Sequence, residues 1–219
     1  MSSAVLTPYR CSTRTIAPYG EGMSEAEYDS GADEGFQSLA GRLLLATPLL
    51  VDPNFMRTTV FIAEHSADGA VGVVLNRPSG TNVAGVLPAW GDAVTSPAVV
   101  FVGGPVAQEG ALALARIGGL ALPDSGFQPV VDGFGVVDLE SDSDLITPHL
   151  AGMRVYAGYA GWGPEQLDAE VAEGAWYVVD GAPDDVFCSR PEVLWRDVLR
   201  RQGGDLAMVS TFPPDPTLN

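Results

Sequence analysis

The chain has 219 residues and a mass of 22.9 kDa, with 46% hydrophobic and 18% charged residues. That composition gives a globular chain long enough for one domain with its own core, and it excludes collagen-like, coiled-coil and disulfide-scaffold architectures. All 11 basic residues are Arg, set against 28 acidic ones for a net charge of −17, so the basic stripe from which nucleic-acid binding draws its affinity is missing.

Residues 1–35 read as a disordered acidic tail. They are rich in Ser, Thr, Gly, Pro and Glu, and from Glu21 to Glu34 every charge is negative, too little apolar surface to offset ordering entropy. Met23 is a second candidate start. Residues 36–219 read as the folded domain. Gly41–Ala46 is a buried strand, followed by Pro48 and an Asp52-Pro53-Asn54 turn. Arg57–Glu64 and Ala70–Asn76 are strands joined through Asp68-Gly69 into a hairpin, with His65 near its loop. Thr81 caps a short helix through Leu87. Ala98–Val102 is a strand stopped by Gly103-Gly104-Pro105, and further strands are expected at Ala111–Ala115, Arg154–Ala157, Ala175–Val179 and Leu206–Ser210.

Two helices are well marked. One opens at Pro164, a residue favoured at the first helical position, and ends at Gly174. The other opens with the capping-box pattern Ser189-Arg190-Pro191-Glu192, carries an apolar stripe of Leu194, Trp195, Val198 and Leu199, pairs Asp197 with Arg201, and stops at Gly203-Gly204. Many strands with few helices, in no regular alternation, point to an α+β fold.

Cys11 and Cys188 are the only cysteines. That excludes a disulfide framework and suits a reducing cytoplasm. No signal peptide is visible, and no apolar run approaches the roughly 20 residues that span a bilayer. There is no nucleophile elbow, no P-loop and no H-E-x-x-H pair, and Gly133-Phe134-Gly135 fails the dinucleotide fingerprint at Asp138. No metal or cofactor site is expected.

The densest polar cluster brackets the hairpin. Its open end brings Arg57, Asn76 and Arg77 together, with Asp52 the nearest carboxylate. Guanidinium forks suit a carboxylate or phosphate, so this is the candidate anion or partner patch. Internal pairing of Arg57 with Asp52, and Asn76 holding the turn before Pro78, is the structural alternative. His65 is a weaker candidate as an acid or base. About 3.3 Å per strand residue separates it from Arg57 by roughly 25 Å. A second cluster, Tyr156–Glu170, runs a strand through glycines into a helix. There Gly158, Gly161, Trp162 and Gln166 read as a structural motif, with Trp162 packed over the helix start.

Gly41-Arg42-Leu43-Leu44 through Pro48, Asp52-Pro53-Asn54-Phe55-Met56-Arg57-Thr58-Thr59-Val60, His65, Gly69-Ala70-Val71-Gly72 and Asn76-Arg77-Pro78 resemble the YqgE/AlgH family of bacterial proteins. So do Gly103-Gly104-Pro105-Val106, Gly158-Tyr159-Ala160-Gly161-Trp162 with Gln166, Leu167 and Glu170, then Gly174-Ala175-Trp176, Trp195 and the terminal Pro216-Thr217-Leu218-Asn219. The resemblance runs from about residue 41 to the end. It implies a single compact α+β domain whose mixed, branched sheet is surrounded by helices, and it implies no catalytic mechanism. One member's name links it to transcriptional regulation of alginate synthesis.

The leading expectation is a non-enzymatic cytoplasmic module that binds a protein partner or small anionic ligand, with no direct contact to nucleic acid or membrane. The alternatives are a transcriptional regulator acting through a protein partner, and a hydrolase or transferase using His65 with Arg57.

Overall fold

The computed structural model describes residues 7–8, 36–118, 126–131 and 133–213. The strands are β1 (Thr7–Pro8), β2 (Arg42–Ala46), β3 (Thr59–Ser66), β4 (Gly69–Val74), β5 (Pro78–Asn82), β6 (Val99–Val102), β7 (Val106–Ile117), β8 (Phe127–Val131), β9 (Phe134–Val137), β10 (Leu150–Trp162) and β11 (Trp176–Asp180). The helices are α1 (Val83–Val86), α2 (Ser143–Ile146), α3 (Gln166–Ala172), α4 (Pro183–Val186), α5 (Leu194–Gln202) and α6 (Gly204–Val209). Strand order is β11-β2-β3-β4-β10-β7-β9-β8, and β6 with its partner β5 branches from β10, parallel to it. This is an α+β fold on a mixed, branched sheet. β1 runs parallel to Gly110–Ala111 of β7. The remainder of the expected tail, with Cys11 and Met23, lies outside the described residues, as do the terminal Pro216–Asn219.

β2 shows why the first half of the sheet folds. Successive strand residues face opposite sides, yet Leu43, Leu44, Leu45 and Ala46 are all fully buried, so both sides must be covered. Leu43 and Leu45 meet Leu194, Trp195, Val198 and Leu199 of α5 on one face. Leu44 and Ala46 meet Trp162, Trp176 and Leu167 of α3 on the other. A separate cluster, with Val83, Trp90, Ala113, Met153 and Val155, covers the second half of the sheet.

The branch is built at β10. Residues 150–159 pair with β7, residues 156–157 with β6, and residues 160–162 with β4. One strand therefore serves both halves, and it changes partners at Gly158, where φ is +70° and the register with β7 slips. Gly103 fills the fork: its N–H donates to the Ala157 carbonyl at 2.9 Å, and its carbonyl accepts from the Val74 N–H at 2.8 Å. A Cβ on Gly103 would stand 2.3 Å from the Gly158 oxygen, so only glycine lets these backbones meet.

Arg154 of β10 is 1% exposed. It donates from Nη1 to the Val186 carbonyl and from Nη2 to those of Cys188 and Ser96, and its guanidinium lies 4.2 Å from the Phe101 ring centre. The neighbouring Tyr156 hydroxyl is buried without a hydrogen-bond partner.

Several local expectations are corrected. Leu206–Ser210 is not a strand; it falls in α6 and the turn after it. Asn82 rather than Thr81 caps α1, its side chain accepting from the Ala84 N–H at 2.9 Å. α3 begins at Gln166, because Pro164 sits in a turn and Glu165 takes a left-handed φ of 59°. The capping box at Ser189 does not form, since a 3-10 turn at Pro191–Val193 precedes α5. Asp197 pairs with Arg200 and Arg190, while Arg201 grips Asp185 with both guanidinium nitrogens.

Candidate functional site

The 52–57 turn organises the predicted patch. Asp52 accepts the Asn54 N–H on its carboxylate at 2.8 Å and the Phe55 and Met56 N–H groups on its carbonyl. Asn76, two residues past β4, ties both strand ends together. Its Oδ1 accepts from the Thr59 N–H at 2.9 Å, and its Nδ2 donates to the Arg57 carbonyl at 2.9 Å. This brace holds Arg57 at a φ of 58°, a left-handed conformation costly for a side-chain-bearing residue. Arg77 reaches back over the same turn, donating to the Pro53 carbonyl at 2.8 Å. All four predicted residues thus bear on one turn, but their charges go separate ways. Asp52 acts on Arg77, not Arg57, and its pull only partly offsets the burial that lowers the Arg77 pKa.

Arg57 points away from the hairpin. Its guanidinium lies 4.8 Å from the Trp195 ring centre and donates to the Phe212 carbonyl at 2.9 Å and to the Pro213 carbonyl. Arg196 donates to that same Phe212 oxygen at 3.1 Å. Burial, then the nearby Arg196 charge, lowers the Arg57 pKa. Among the described residues, neither Arg57, Arg77 nor Arg196 takes part in an ion pair. Leu49, Val51, Met56 and Phe212 stand exposed along this edge of the chain, at 82%, 74%, 45% and 44%. The contribution of Arg196 and Phe212 escapes sequence reasoning because the Arg57–Phe212 contact spans 155 positions and Arg196 joins it only through that same carbonyl. The one local hint is a basic residue directly after an aromatic one.

His65 is elsewhere and differently employed. It is 7% exposed, at the far end of β3 from Arg57. Its Nδ1 accepts from the Leu39 N–H at 3.1 Å, which leaves the proton on Nε2, 3.5 Å from the Asp168 carboxylate. Phe36 packs edge-on against the ring. Both ring nitrogens are taken by the protein, so the imidazole offers no free lone pair to a substrate.

The second predicted cluster forms a tryptophan pair closed by one carboxylate. Glu170 Oε2 accepts from the Trp162 indole N–H at 2.9 Å and from that of Trp176 at 2.8 Å. Its Oε1 accepts from Gln166, whose own amide oxygen takes the Gly163 N–H. Phe55 stacks on the Trp162 indole and meets the Trp176 indole edge-on. Trp162 is 6% exposed. A Cβ on Gly158 would sit 2.6 Å from the Val106 oxygen, whereas one on Gly161 would come no nearer than 3.3 Å, to the Tyr159 ring edge. Among the described residues no group of three or more His, Cys, Asp or Glu gathers to hold a metal ion, and no helix is long and apolar enough to cross a membrane.

A family model described as AlgH-like matches residues 43–207. The chain belongs to the AlgH-like family. Its relatives include a UPF0301 protein of Streptomyces coelicolor, 51% identical over 185 residues that cover 83% of this chain and 96% of the relative. Another, from Mycolicibacterium smegmatis, is 39% identical over 199 residues, covering 90% and 99%. The AlgH-like fold is matched by a crystal structure of a Corynebacterium diphtheriae protein at a TM-score of 0.75 and 32% identity, covering 81% of this chain and 94% of that one. It is also matched by the solution structure of the AlgH protein from Pseudomonas aeruginosa at a TM-score of 0.61 and 28% identity, covering 86% and 97%. The bacterial relatives named UPF0301 are uncharacterised, and their names state no reaction or ligand.

Proposed function

We propose that this AlgH-like chain is a non-enzymatic cytoplasmic module that binds an anionic ligand or an acidic protein partner at the edge carrying Arg57, Arg77 and Arg196. One observation carries the reading: in a chain of net charge −17, these arginines make no ion pair among the described residues, with Asp52 acting on Arg77 only at a distance. Guanidinium groups that are partly desolvated and unpaired are costly to the isolated chain, and the same groups gain charge-assisted hydrogen bonds when a carboxylate or phosphate arrives. The exposed Leu49, Val51 and Met56 beside them supply apolar contact for a larger partner. The overall negative charge disfavours direct binding to duplex nucleic acid.

The test is binding of acidic peptides and small oxyanions to the chain at several salt concentrations, with Arg77→Gln beside the wild type. Salt-sensitive binding weakened by Arg77→Gln supports the proposal. Binding indifferent to both salt and Arg77, or protection from hydrogen exchange confined to the opposite side of the sheet, refutes it.

A further inference from the structure

We propose that Arg57 and Arg196 form a site for a tetrahedral oxyanion, a phosphate group, and that the Phe212–Pro213 segment is a displaceable gate over it. This deepens the binding reading above and rests on it.

The two side chains converge on one acceptor, the Phe212 carbonyl, at 2.9 and 3.1 Å. Like charges brought this close repel, and a neutral carbonyl offsets that repulsion less well than an anion does. Both cations are positioned by rigid parts of the fold. Arg57 is braced by Asn76 and laid on the Trp195 ring, and the Trp195 indole is itself fixed by its N–H bond to the Ala46 carbonyl at 3.0 Å. Arg196 follows Trp195 directly near the start of α5. One buried indole and one helix therefore set the placement of both guanidinium groups, the kind of support a specific anion site needs. A phosphate group presents several oxygens in different directions, so it can accept from both guanidiniums at once. A carbonyl presents one.

The gate is weakly held. After α6 the chain makes a last turn, with the Thr211 N–H bonded to Met208 and the Phe212 N–H to Val209. Phe212 is 44% exposed, so the fold covers the segment only in part. Beyond its backbone bonds to the end of α6, the segment is held by the hydrogen bonds its carbonyls accept from Arg57 and Arg196, and those are the contacts that an oxyanion takes over.

The experiment uses the full chain, ¹⁵N-labelled, titrated with inorganic phosphate against sodium chloride of equal ionic strength. The expected result is saturable shifts of the Arg57 and Arg196 Nε–H signals, together with loss of order at the Phe212 amide. Arg196→Gln, an exposed-edge change that leaves Arg57 and Trp195 in place, should weaken phosphate binding by at least about tenfold with an otherwise unchanged spectrum. Arginine shifts with Phe212 still ordered overturn the gate. If phosphate produces no arginine shifts, the oxyanion site is overturned. In that case an acidic peptide that shifts Arg57 and Arg77 leaves the broader binding reading standing, and no response to either probe removes both.

Discussion

Replacing Glu170 with Ala tests whether one carboxylate holds the tryptophan pair. Trp162 and Trp176 are 6% and 4% exposed, and both indole N–H groups donate to Glu170 Oε2. In Glu170→Ala both donors lose their acceptor. An unsatisfied buried donor costs about 1–3 kcal/mol, and partial access of water to these N–H groups puts the pair near the lower half of that range. The sum is about 3 kcal/mol; the lost Gln166 contact is exposed and adds little. For a domain of this size that corresponds to a fall in Tm of about 6–12 °C. Glu170→Gln keeps an oxygen acceptor and should cost only about 1 kcal/mol, close to the net worth of a neutral hydrogen bond. Calorimetry gives the Tm values, and the indole proton resonances report whether both N–H groups change environment. A Glu170→Ala Tm within about 2 °C of the wild type refutes the bridging role. A Glu170→Gln protein as unstable as Glu170→Ala shows that charge, and not acceptance of the two N–H groups, is what matters.

Burial raises the Tyr156 pKa above 10.0, more than the nearby Arg154 lowers it. The unfolded chain therefore ionises this phenol first, and stability should be intact below pH 10 and fall above it by up to about 1.4 kcal/mol per pH unit. Tyr156→Phe should remove this alkaline loss, and at neutral pH it should be neutral or stabilising because the hydroxyl has no partner; denaturant melts at pH 7 and pH 11 check both, and a marked loss at pH 7 contradicts the second. Gly158→Ala combines a positive φ with a Cβ 2.6 Å from the Val106 oxygen, so a loss of about 3 kcal/mol or more, measured by urea unfolding, is expected. Arg154→Met leaves three carbonyls without their buried donor; a destabilisation of about 3 kcal/mol is expected, and a Tm equal to that of the wild type contradicts it.

Where the sequence carried a period or a strong turn, the fold was legible. The β3–β4 hairpin has β-branched strands around Asp68-Gly69, and α5 has a four-residue apolar stripe, all of it buried. Misreadings cluster where local signals conflict with tertiary placement. Leu206–Ser210 is a short apolar run that suits either strand or helix, and packing beside α5 decides for helix. Pro78–Asn82 is polar and largely exposed, so nothing but its pairing with β6 makes it a strand. β8 contains Pro129, which argues against a strand until its edge position is known. The sequence pattern marks β10 only over Arg154–Ala157, between Gly152 and Gly158; in the structure those two glycines are where Phe187 and the Val106 carbonyl crowd a continuous strand. The braced turn of Asp52, Arg57, Asn76 and Arg77 followed from hairpin geometry. The partner of Arg57 did not, because no local pattern reports a contact across 155 positions.

The two-sided burial of β2 has a consequence for how the protein is made. Ala46 receives its hydrogen bond from a tryptophan 149 positions later. At the usual pace of about 5–20 residues per second, roughly 7–30 s separate the synthesis of the two. For most of that interval the β2–β4 ribbon leaves the ribosome with apolar side chains on both faces; α3 follows only late in it and α5 not before its end. Nascent chains stalled before Trp176 should therefore be degraded readily by added protease and recruit hydrophobic-segment chaperones, while chains released after residue 213 should resist both. Vectorial synthesis gives this fold no early foothold, and a cell that makes it must shelter the first third of the chain until the last third arrives.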